Sequence, residues 1–256
     1  MDFVPVNEPR LDGNEKKYLN ECIETGWISS EGPFVERFEH QLAERIGRSH
    51  GIAVTNGSCA LDLAVASLRL EPGDEIIIPA FTIISCAIAV LRAGAVPVLV
   101  DSDPVTWNMD VNQAAARITP RTRAIMVVHI YGLTVDMDRV LELASKHGLA
   151  VIEDAAEAVG QTYKQRPCGG FGDISIFSFY ANKHVTCGEG GMVATNDPTL
   201  AERCRSGRNL EFGKTRFVHE RMGWNMCMTN IQAAIGLAQL ERLDDTIARK
   251  IGRAHV

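Results

Sequence analysis

Residues 174–191 read ISIFSFYANKHVTCGEGG, and the fold is organised around this stretch. Its apolar half, Ile174–Tyr180, predicts a short buried strand, because strands covered on both faces are near-continuous apolar runs. The strand ends just before Lys183, and glycines at 188, 190 and 191 predict a turn beyond it. We therefore expect the lysine amine to lie at the carboxyl end of a buried strand.

Position alone does not make Lys183 reactive, because a lysine amine is protonated and inert at neutral pH. Burial or neighbouring cations favour its neutral, nucleophilic form. The aromatic residues Phe179 and Tyr180 could wall in this amine, but most lysines beside glycine-rich turns are solvated. Lys183 is therefore a candidate for a reactive residue only if a second functional group in the sequence supports that role.

A carboxylate pair follows a second buried strand. Residues 149–152 are apolar and lead into Glu153 and Asp154, and open α/β sheets place ligand-binding groups at such strand ends. An aspartate and a lysine beyond two strands suit pyridoxal phosphate (PLP): the lysine binds the aldehyde as a Schiff base, and the carboxylate keeps the pyridine nitrogen protonated. The pair indicates a PLP site, although its spacing alone is a weak signal.

Strand-like and helix-like segments alternate along most of the chain, which predicts a largely parallel sheet with helices on both faces. The predicted strands are 51–54, 74–78, 96–100, 122–128, 149–153, 174–180 and 192–195. The predicted helices are 14–25, 34–46, one ending at Leu68, 82–91, 111–117, 135–146, one from Asp197 to about Cys204, and 229–243, with a surface loop over 205–222.

The composition bounds the partners and the compartment. With 256 residues, 46% of them hydrophobic, the chain can form one large core or a large and a small domain. A net charge of −6 with scattered basic residues argues against nucleic acid. Seven cysteines without CxxC pairs fit a reducing compartment, so we expect a cytoplasmic protein without a metal site. The chain opens without a signal-peptide pattern, and Arg92, Gly94 and Pro97 interrupt its longest apolar stretch, so we expect no membrane span.

Three segments together resemble a known family. EDAAEA at 153–158, FGDISIFSF-x-x-NK-x-x-x-x-GEGGM at 171–192 and GWN-x-x-MTNIQAAIGLAQLERL at 223–243 resemble the DegT/DnrJ/EryC1/StrS sugar aminotransferases, which have the type I aspartate-aminotransferase fold. The resemblance runs from about Pro5 to Leu243 and implies a PLP-binding large domain over 1–243, with an N-terminal helical segment and a mostly parallel seven-stranded sheet.

The resemblance also bears on the end of the chain. Family members continue into a small C-terminal domain, so we expect 244–256 to be the start of that domain, which is otherwise largely absent. Residues 250–256, KIGRAHV, match the translation of a common sequencing adapter, and we expect them to be non-native read-through. On this interpretation the isolated chain would be inactive or poorly soluble.

The resemblance assigns roles at the ring of the cofactor. It implies that Lys183 is the catalytic lysine, that Asp154 faces the pyridine nitrogen, and that Glu157, where many relatives have Gln, contacts the ring hydroxyl. The ring-stacking position, usually aromatic, falls on Ile83, which would lose about 0.5–1.5 kcal/mol of stacking energy unless Phe81 compensates. From the residues alone, Glu157 could instead be a carboxylate at the start of a helix, where the helix dipole favours negative charge.

A phosphate site is expected at Thr55-Asn56-Gly57-Ser58, which follows a strand and opens a helix. From the residues alone this segment is equally consistent with a phosphate cradle and an ordinary helix cap. The resemblance implies that Gly57, Ser58 and Ser178 hold the cofactor phosphate. It also implies that Asn225 reaches it from a neighbouring subunit, which would make the active site that of a homodimer.

The implied reaction is ping-pong transfer of an amino group from L-glutamate to a nucleotide-linked 4-keto-6-deoxy sugar, for surface polysaccharide or glycan biosynthesis. Candidate substrate residues are Trp27, Ser29, His184 and Arg208. Segments 208–212, 216–219 and 223–225 are most similar to members that aminate GDP-4-keto-6-deoxy-D-mannose. Members acting on UDP- and dTDP-keto sugars share the cofactor residues, and Cys227 replaces an arginine that is common in the family.

Three other functions are possible. A sugar 3-dehydratase of the same fold carries histidine in place of the Schiff-base lysine, but here Lys183 occupies that position and His184 is only adjacent. A non-catalytic or inert truncated homologue is a second alternative. A dinucleotide-binding dehydrogenase is disfavoured, because residues 55–58 contain one glycine where that fingerprint requires three.

Overall fold

A computed structural model describes residues 7–212, 217–219 and 221–253. The helices are α1 (Glu15–Thr25), α2 (Pro33–Arg45), α3 (Gly57–Ser67), α4 (Ser85–Arg92), α5 (Val111–Ala116), α6 (Met137–His147), α7 (Pro198–Arg208), α8 (Asn230–Leu240) and α9 (Leu243–Arg253). The strands are β1 (His50–Val54), β2 (Glu75–Pro79), β3 (Val96–Val100), β4 (Thr122–Val128), β5 (Ala150–Asp154), β6 (Thr162–Tyr163), β7 (Arg166–Pro167), β8 (Ile174–Ser178) and β9 (Gly191–Thr195).

Seven of these strands form one sheet in the order β1-β9-β8-β5-β4-β2-β3. The pairs from β3 through β2, β4 and β5 to β8 are parallel, whereas β9 is antiparallel to both β1 and β8. The mostly parallel seven-stranded sheet is thus confirmed. Because β9 reverses direction between them, β1 and β8 end at the same edge of the sheet as β5.

Alternate residues of β2 show how the sheet is covered. Ile76 and Ile78 are buried in a cluster that includes side chains of α3, α4 and α7. Ile77 points to the opposite face and packs with side chains of α5 and α6. A third cluster joins α1, α2 and α8 to the far side of β8 and β9, with Phe38 and Phe179 in contact at its centre. Helices therefore cover both faces, as predicted.

The predicted helix over 229–243 is confirmed except at its end, where α8 stops three residues early and a second helix begins. α8 ends at Leu240, and α9 begins at Leu243. No Gly or Pro marks the break. Instead Glu241 is held at the junction by the Tyr18 hydroxyl, which donates to its carboxylate at 2.6 Å, and by the Asn14 amide at 2.7 Å. Tertiary contacts with α1 therefore interrupt a sequence that is otherwise helical.

Other boundaries differ by a few residues. β8 ends at Ser178, so the Lys183 loop is longer than predicted, and α7 continues to Arg208 into the predicted surface loop. The expected read-through segment 250–256 is helical as far as Arg253 and lies otherwise outside the described residues, so its origin stays a prediction. Among the described residues, no helix has the length and apolar content that a membrane crossing requires.

Candidate active site

A cavity of about 770 Å³ lies at the carboxyl edge of the sheet, where β1, β4, β5 and β8 end. The sequence-predicted cofactor residues that line this cavity are Gly57, Ser58, Ile83, Asp154, Glu157, Ser178 and Lys183. Residues from distant parts of the chain therefore meet in one site. The parallel strands bring them together, because each strand delivers its following loop to the same edge.

Lys183 reaches the cavity from a loop that is anchored by the sheet. Its backbone N–H donates to the Tyr180 carbonyl at 2.9 Å, which closes a turn directly after β8. The side chain is largely buried, and Nζ donates to Glu157 Oε1 at 3.1 Å. The amine is thus sheltered from solvent and directed along the cavity wall by one carboxylate.

The second oxygen of Glu157 holds the opposite wall. Glu157 Oε2 accepts from the backbone N–H of Tyr131 at 2.8 Å. Tyr131 has a left-handed backbone, with φ of 50°, which is strained for a residue with a side chain. Glu157 therefore links the lysine loop to the turn after β4, a role that a helix-start carboxylate would not have.

Asp154 is buried at the floor of the cavity. Its Oδ1 accepts from the Ala156 backbone N–H at 2.9 Å, and its Oδ2 lies 3.5 Å from the Cys86 thiol. Burial raises the pKa of the Asp154 carboxyl, and the Ala156 hydrogen bond opposes that rise. Neither neighbour is a cation, so a cationic N–H donor entering the cavity would satisfy this carboxylate.

The first turn of α3 forms the end of the cavity. Asn56 caps the helix by accepting from Cys59 N at 2.9 Å, and the first N–H groups of a helix have no acceptor within it. A Cβ added to Gly57 would lie 2.7 Å from Ser178 Cβ, so only glycine lets α3 approach β8 this closely. The hydroxyls of Ser58 and Ser85 are 2.8 Å apart beside it.

The mouth of the cavity carries exposed apolar side chains. Ile83 is 60% exposed, at the position where the family usually has an aromatic residue. Phe81 also lines the cavity, but its ring contacts Trp107 and Tyr131 edge-on, with centroids 5.5 and 6.2 Å away. Phe81 is thus part of an aromatic cluster at the mouth rather than a free stacking partner.

Four predicted substrate residues do not line the cavity. Trp27 is half exposed and Ser29 exposed, in the loop between α1 and α2. His184 turns away, because its Nδ1 is hydrogen-bonded to the Val159 carbonyl at 3.0 Å, and burial lowers its pKa. Arg208 is paired with the Glu39 carboxylate and donates to the Ala53 carbonyl at 2.7 Å. Nη1 makes both contacts, which hold this arginine beside Glu39 and outside the cavity.

The predicted phosphate residue Asn225 is also outside the cavity. It is exposed, and its backbone forms an isolated bridge with Asn209. In the segment 216–219, Arg216 lies outside the described residues. His219, at the end of that segment, forms an isolated β-bridge with Phe212. Within this subunit, Asn225 does not line the cavity, although the carbonyl of its neighbour Met226 accepts from Thr55 N at 3.0 Å.

Ser85 and Tyr131 are among the cavity residues that the sequence interpretation missed. Ser85 begins α4 just after β2, and Tyr131 follows the end of β4. Their signal was available, since both lie beyond strands that end at this edge. What the sequence could not show is that Tyr131 would adopt a left-handed backbone held by Glu157.

A buried polar cluster supports the strand end beside Asp154. The side chains of His129, Glu153 and Cys168 meet below the cavity, close enough together to hold a metal ion. His129 Nδ1 accepts from Val135 N at 3.2 Å, so Nε2 carries the proton and donates to Glu153 at 2.9 Å. Glu153 also accepts from Phe171 N at 2.8 Å. His129 and Glu153 are thus hydrogen-bonded to each other and to backbone N–H groups.

The cavity suits PLP in three respects. A largely buried amine, a buried carboxylate without a cationic partner and a glycine-opened helix N-terminus match its aldehyde, ring nitrogen and phosphate. The aldehyde would be held by Lys183, the ring nitrogen by Asp154, and the phosphate by Gly57, Ser58 and Ser178.

Comparison with known proteins identifies the class. The model of the DegT/DnrJ/EryC1/StrS aminotransferase family matches residues 9–256, so the chain belongs to this family of PLP-dependent sugar aminotransferases. Its relatives include the GDP-perosamine synthase of Caulobacter vibrioides, 51% identical over 96% of this chain and 67% of that protein. The GDP-perosamine synthase of Escherichia coli O157:H7 is 48% identical over 98% of this chain and 69% of that protein.

Solved structures confirm the fold. The crystal structure of 3-amino-5-hydroxybenzoic acid synthase superposes with a TM-score of 0.91 at 38% identity, covering 98% of this chain and 66% of that one. The chain thus spans about two thirds of the length of the proteins that it matches. Because a synthase of a benzoic acid shares the fold so closely, the fold alone does not determine the amino acceptor.

Proposed function

We propose that this chain belongs to an aminotransferase that moves an amino group from L-glutamate to GDP-4-keto-6-deoxy-D-mannose and so makes GDP-perosamine for surface polysaccharide. The observation that carries the reaction type is that Lys183 and Asp154 border one cavity. When bound, PLP supplies an aldehyde that receives the amino group and a protonated ring that accepts electrons.

The side chains of the cavity have separate tasks in this reaction. Asp154 holds a proton at the ring nitrogen, and the α3 N-terminus with Ser58 and Ser178 binds the phosphate. Lys183 Nζ acts as the base that takes the proton from Cα of the amino donor, and Glu157 orients that amine. The buried floor excludes water from the groups that transfer the proton.

The acceptor assignment depends on relatives rather than on the cavity. The two synthases that are 51% and 48% identical to this chain over the aligned residues both carry GDP-perosamine in their names. A keto sugar on UDP or dTDP is the alternative, since the cofactor residues do not distinguish them. A lysine at position 183, with His184 turned towards Val159, disfavours a dehydratase.

Because the isolated chain is expected to be inactive, the assay that tests this proposal uses a full-length protein that contains it, with PLP, glutamate and a panel of GDP-, UDP- and dTDP-linked 4-keto-6-deoxy sugars. We expect amine product, detected by mass, from the GDP sugar and release of 2-oxoglutarate. The Lys183→Ala variant should lose at least about 10³-fold in rate, because it lacks the base. Product from UDP sugars alone would refute the acceptor but leave the reaction type intact.

We also propose a homodimer with shared active sites, because Asn225 is exposed and does not line the cavity of its own subunit. Mixing inactive Lys183→Ala and Asn225→Ala subunits would then restore activity at about one site in four, since one site of each mixed dimer carries both native residues. If no activity returns after the subunits are mixed, Asn225 does not act across subunits.

Two further proposals concern context. The chain would work in the cytoplasm, where its seven unpaired cysteines stay reduced. Residues 1–243 would form the large domain and 244–256 the start of a further part, in which 250–256 are the expected read-through.

A further inference from the structure

Cys86 is a fully buried residue in the first turn of α4, and no role is assigned to it above. Its sulfur lies 3.5 Å from Asp154 Oδ2 and 3.4 Å from the Thr82 hydroxyl. Thr82 lines the cavity, so these three side chains form a short polar chain from the cavity wall to the carboxylate.

The direction of the hydrogen bonds in this chain follows from the available protons. An ionised carboxylate can only accept, so the single thiol proton of Cys86 points to Asp154 and the Thr82 hydroxyl donates to the sulfur. Burial, reinforced by the charge of Asp154, holds the pKa of the Cys86 thiol far above its usual range. The thiol therefore remains a proton donor throughout the physiological pH range.

The geometry fixes both oxygens of the carboxylate. Oδ1 accepts from the backbone of Ala156, and Oδ2 accepts from Cys86. A thiol is a weak donor, so it orients Oδ2 while leaving most of its negative charge available. We propose that Cys86 is a positioning residue that keeps Asp154 aimed at the ring nitrogen of the cofactor, an inference that depends on the PLP function proposed above.

The test compares two ligands that differ at one atom. Dissociation constants are measured by absorbance for PLP and for its analogue with a C–H in place of the ring nitrogen, on the native chain and on Cys86→Ala. We expect the substitution to weaken PLP about five-fold, the effect of one net hydrogen bond, and to leave the analogue unchanged. Cys86→Ser, which retains a donor, should restore PLP affinity to within about two-fold of the native value.

The matched control is Cys204→Ala, because Cys204 is equally buried in the same cluster but lies on α7, away from Asp154. It should not change the ratio of the two constants. Equal weakening of both ligands by Cys86→Ala would show that the cysteine only fills space and would overturn the inference, as would no change at all. Failure of the native chain to bind either ligand would instead contradict the cofactor site itself and, with it, this role of Cys86.

Discussion

Asp154 shows how one buried side chain makes the cofactor-free protein sensitive to pH. Burial raises the pKa of its carboxyl in the folded chain above the value of a free aspartate, about 4. The folded state then holds this proton over a pH range in which the unfolded state has lost it. The contribution of Asp154 to the free energy of unfolding is therefore fully present below about pH 4. This contribution is lost as the pH rises through the pKa of the folded state.

We predict that Asp154→Asn stabilises the cofactor-free protein at neutral pH, by on the order of 1 kcal/mol, because the amide keeps the shape but needs no ionisation. The gain over the native chain should shrink towards zero as pH falls to about 4. Denaturant unfolding at several pH values measures this. A difference that is independent of pH would contradict the prediction.

At the scale of single residues, the sequence predicted which side chains border the cavity better than it predicted which partners each side chain contacts. Lys183 and Asp154 come at the ends of apolar runs, and this pattern placed them at one sheet edge, whereas Ser178 was assigned by the family resemblance. Arg208 does not line the cavity, and its ion pair with Glu39 could not be predicted, because Glu39 is on a distant helix and no local pattern records the pair. Its role towards a substrate stays a prediction.

Among the elements, the contact between α3 and β8 makes a sharp prediction. Gly57→Ala places a methyl group 2.7 Å from Ser178 Cβ, so α3 must move away from the strand. We expect a loss of about 1–3 kcal/mol in stability and at least about ten-fold in affinity for PLP, since the shifted helix no longer meets the phosphate. Chemical denaturation and PLP titration measure the two effects.

The control for this substitution is Gly236→Ala on α8. Its added methyl group would lie 2.6 Å from Cys187 Sγ and 2.8 Å from the Phe38 ring, in the core behind the sheet. Gly236→Ala should therefore destabilise the chain to a similar degree without a specific loss of PLP affinity. If both variants weaken PLP equally, the effect of Gly57 is one of general stability.

The loop that carries Trp27 depends on α8 through one buried amide. Asn230 accepts from Phe34 N at 2.8 Å and donates to the Trp27 carbonyl at 2.7 Å. We predict that Asn230→Ala lowers the free energy of unfolding by about 2–4 kcal/mol, because it leaves a buried N–H unsatisfied. Asn230→Asp should lose at least as much at neutral pH, because a buried carboxylate oxygen would replace the donor and face the Trp27 carbonyl. A clearly smaller loss for Asp in denaturant unfolding would show that the acceptor for Phe34 dominates.

The elements themselves were largely predictable, because near-continuous apolar runs and helical periodicity are local signals. Two features were not. β9 looks like any other short strand, yet it runs antiparallel because the chain turns back after the Lys183 loop. The break between α8 and α9 results from Tyr18 and Asn14 on α1, more than two hundred residues earlier.

For the whole molecule, cofactor binding should be coupled to stability. A ligand that binds only the folded chain adds about 2.7 kcal/mol at a concentration one hundred times its dissociation constant. For a chain of 256 residues this corresponds to a rise in melting temperature of about 5–10 °C. Calorimetry with and without PLP measures it, and Lys183→Ala at the same PLP concentration should show a smaller rise. No shift in the native chain would contradict the site.

Ser178 and Gly191 are paired directly across β8 and β9, so the segment that bears Lys183 begins and ends at one point of the sheet. Both of its ends would stay in place if the backbone were cut between them. The polypeptide could therefore be produced as two separate fragments, divided after Cys187, that reassemble through the pairing of β8 with β9. The first fragment would carry the Lys183 amine, and the second would carry β9.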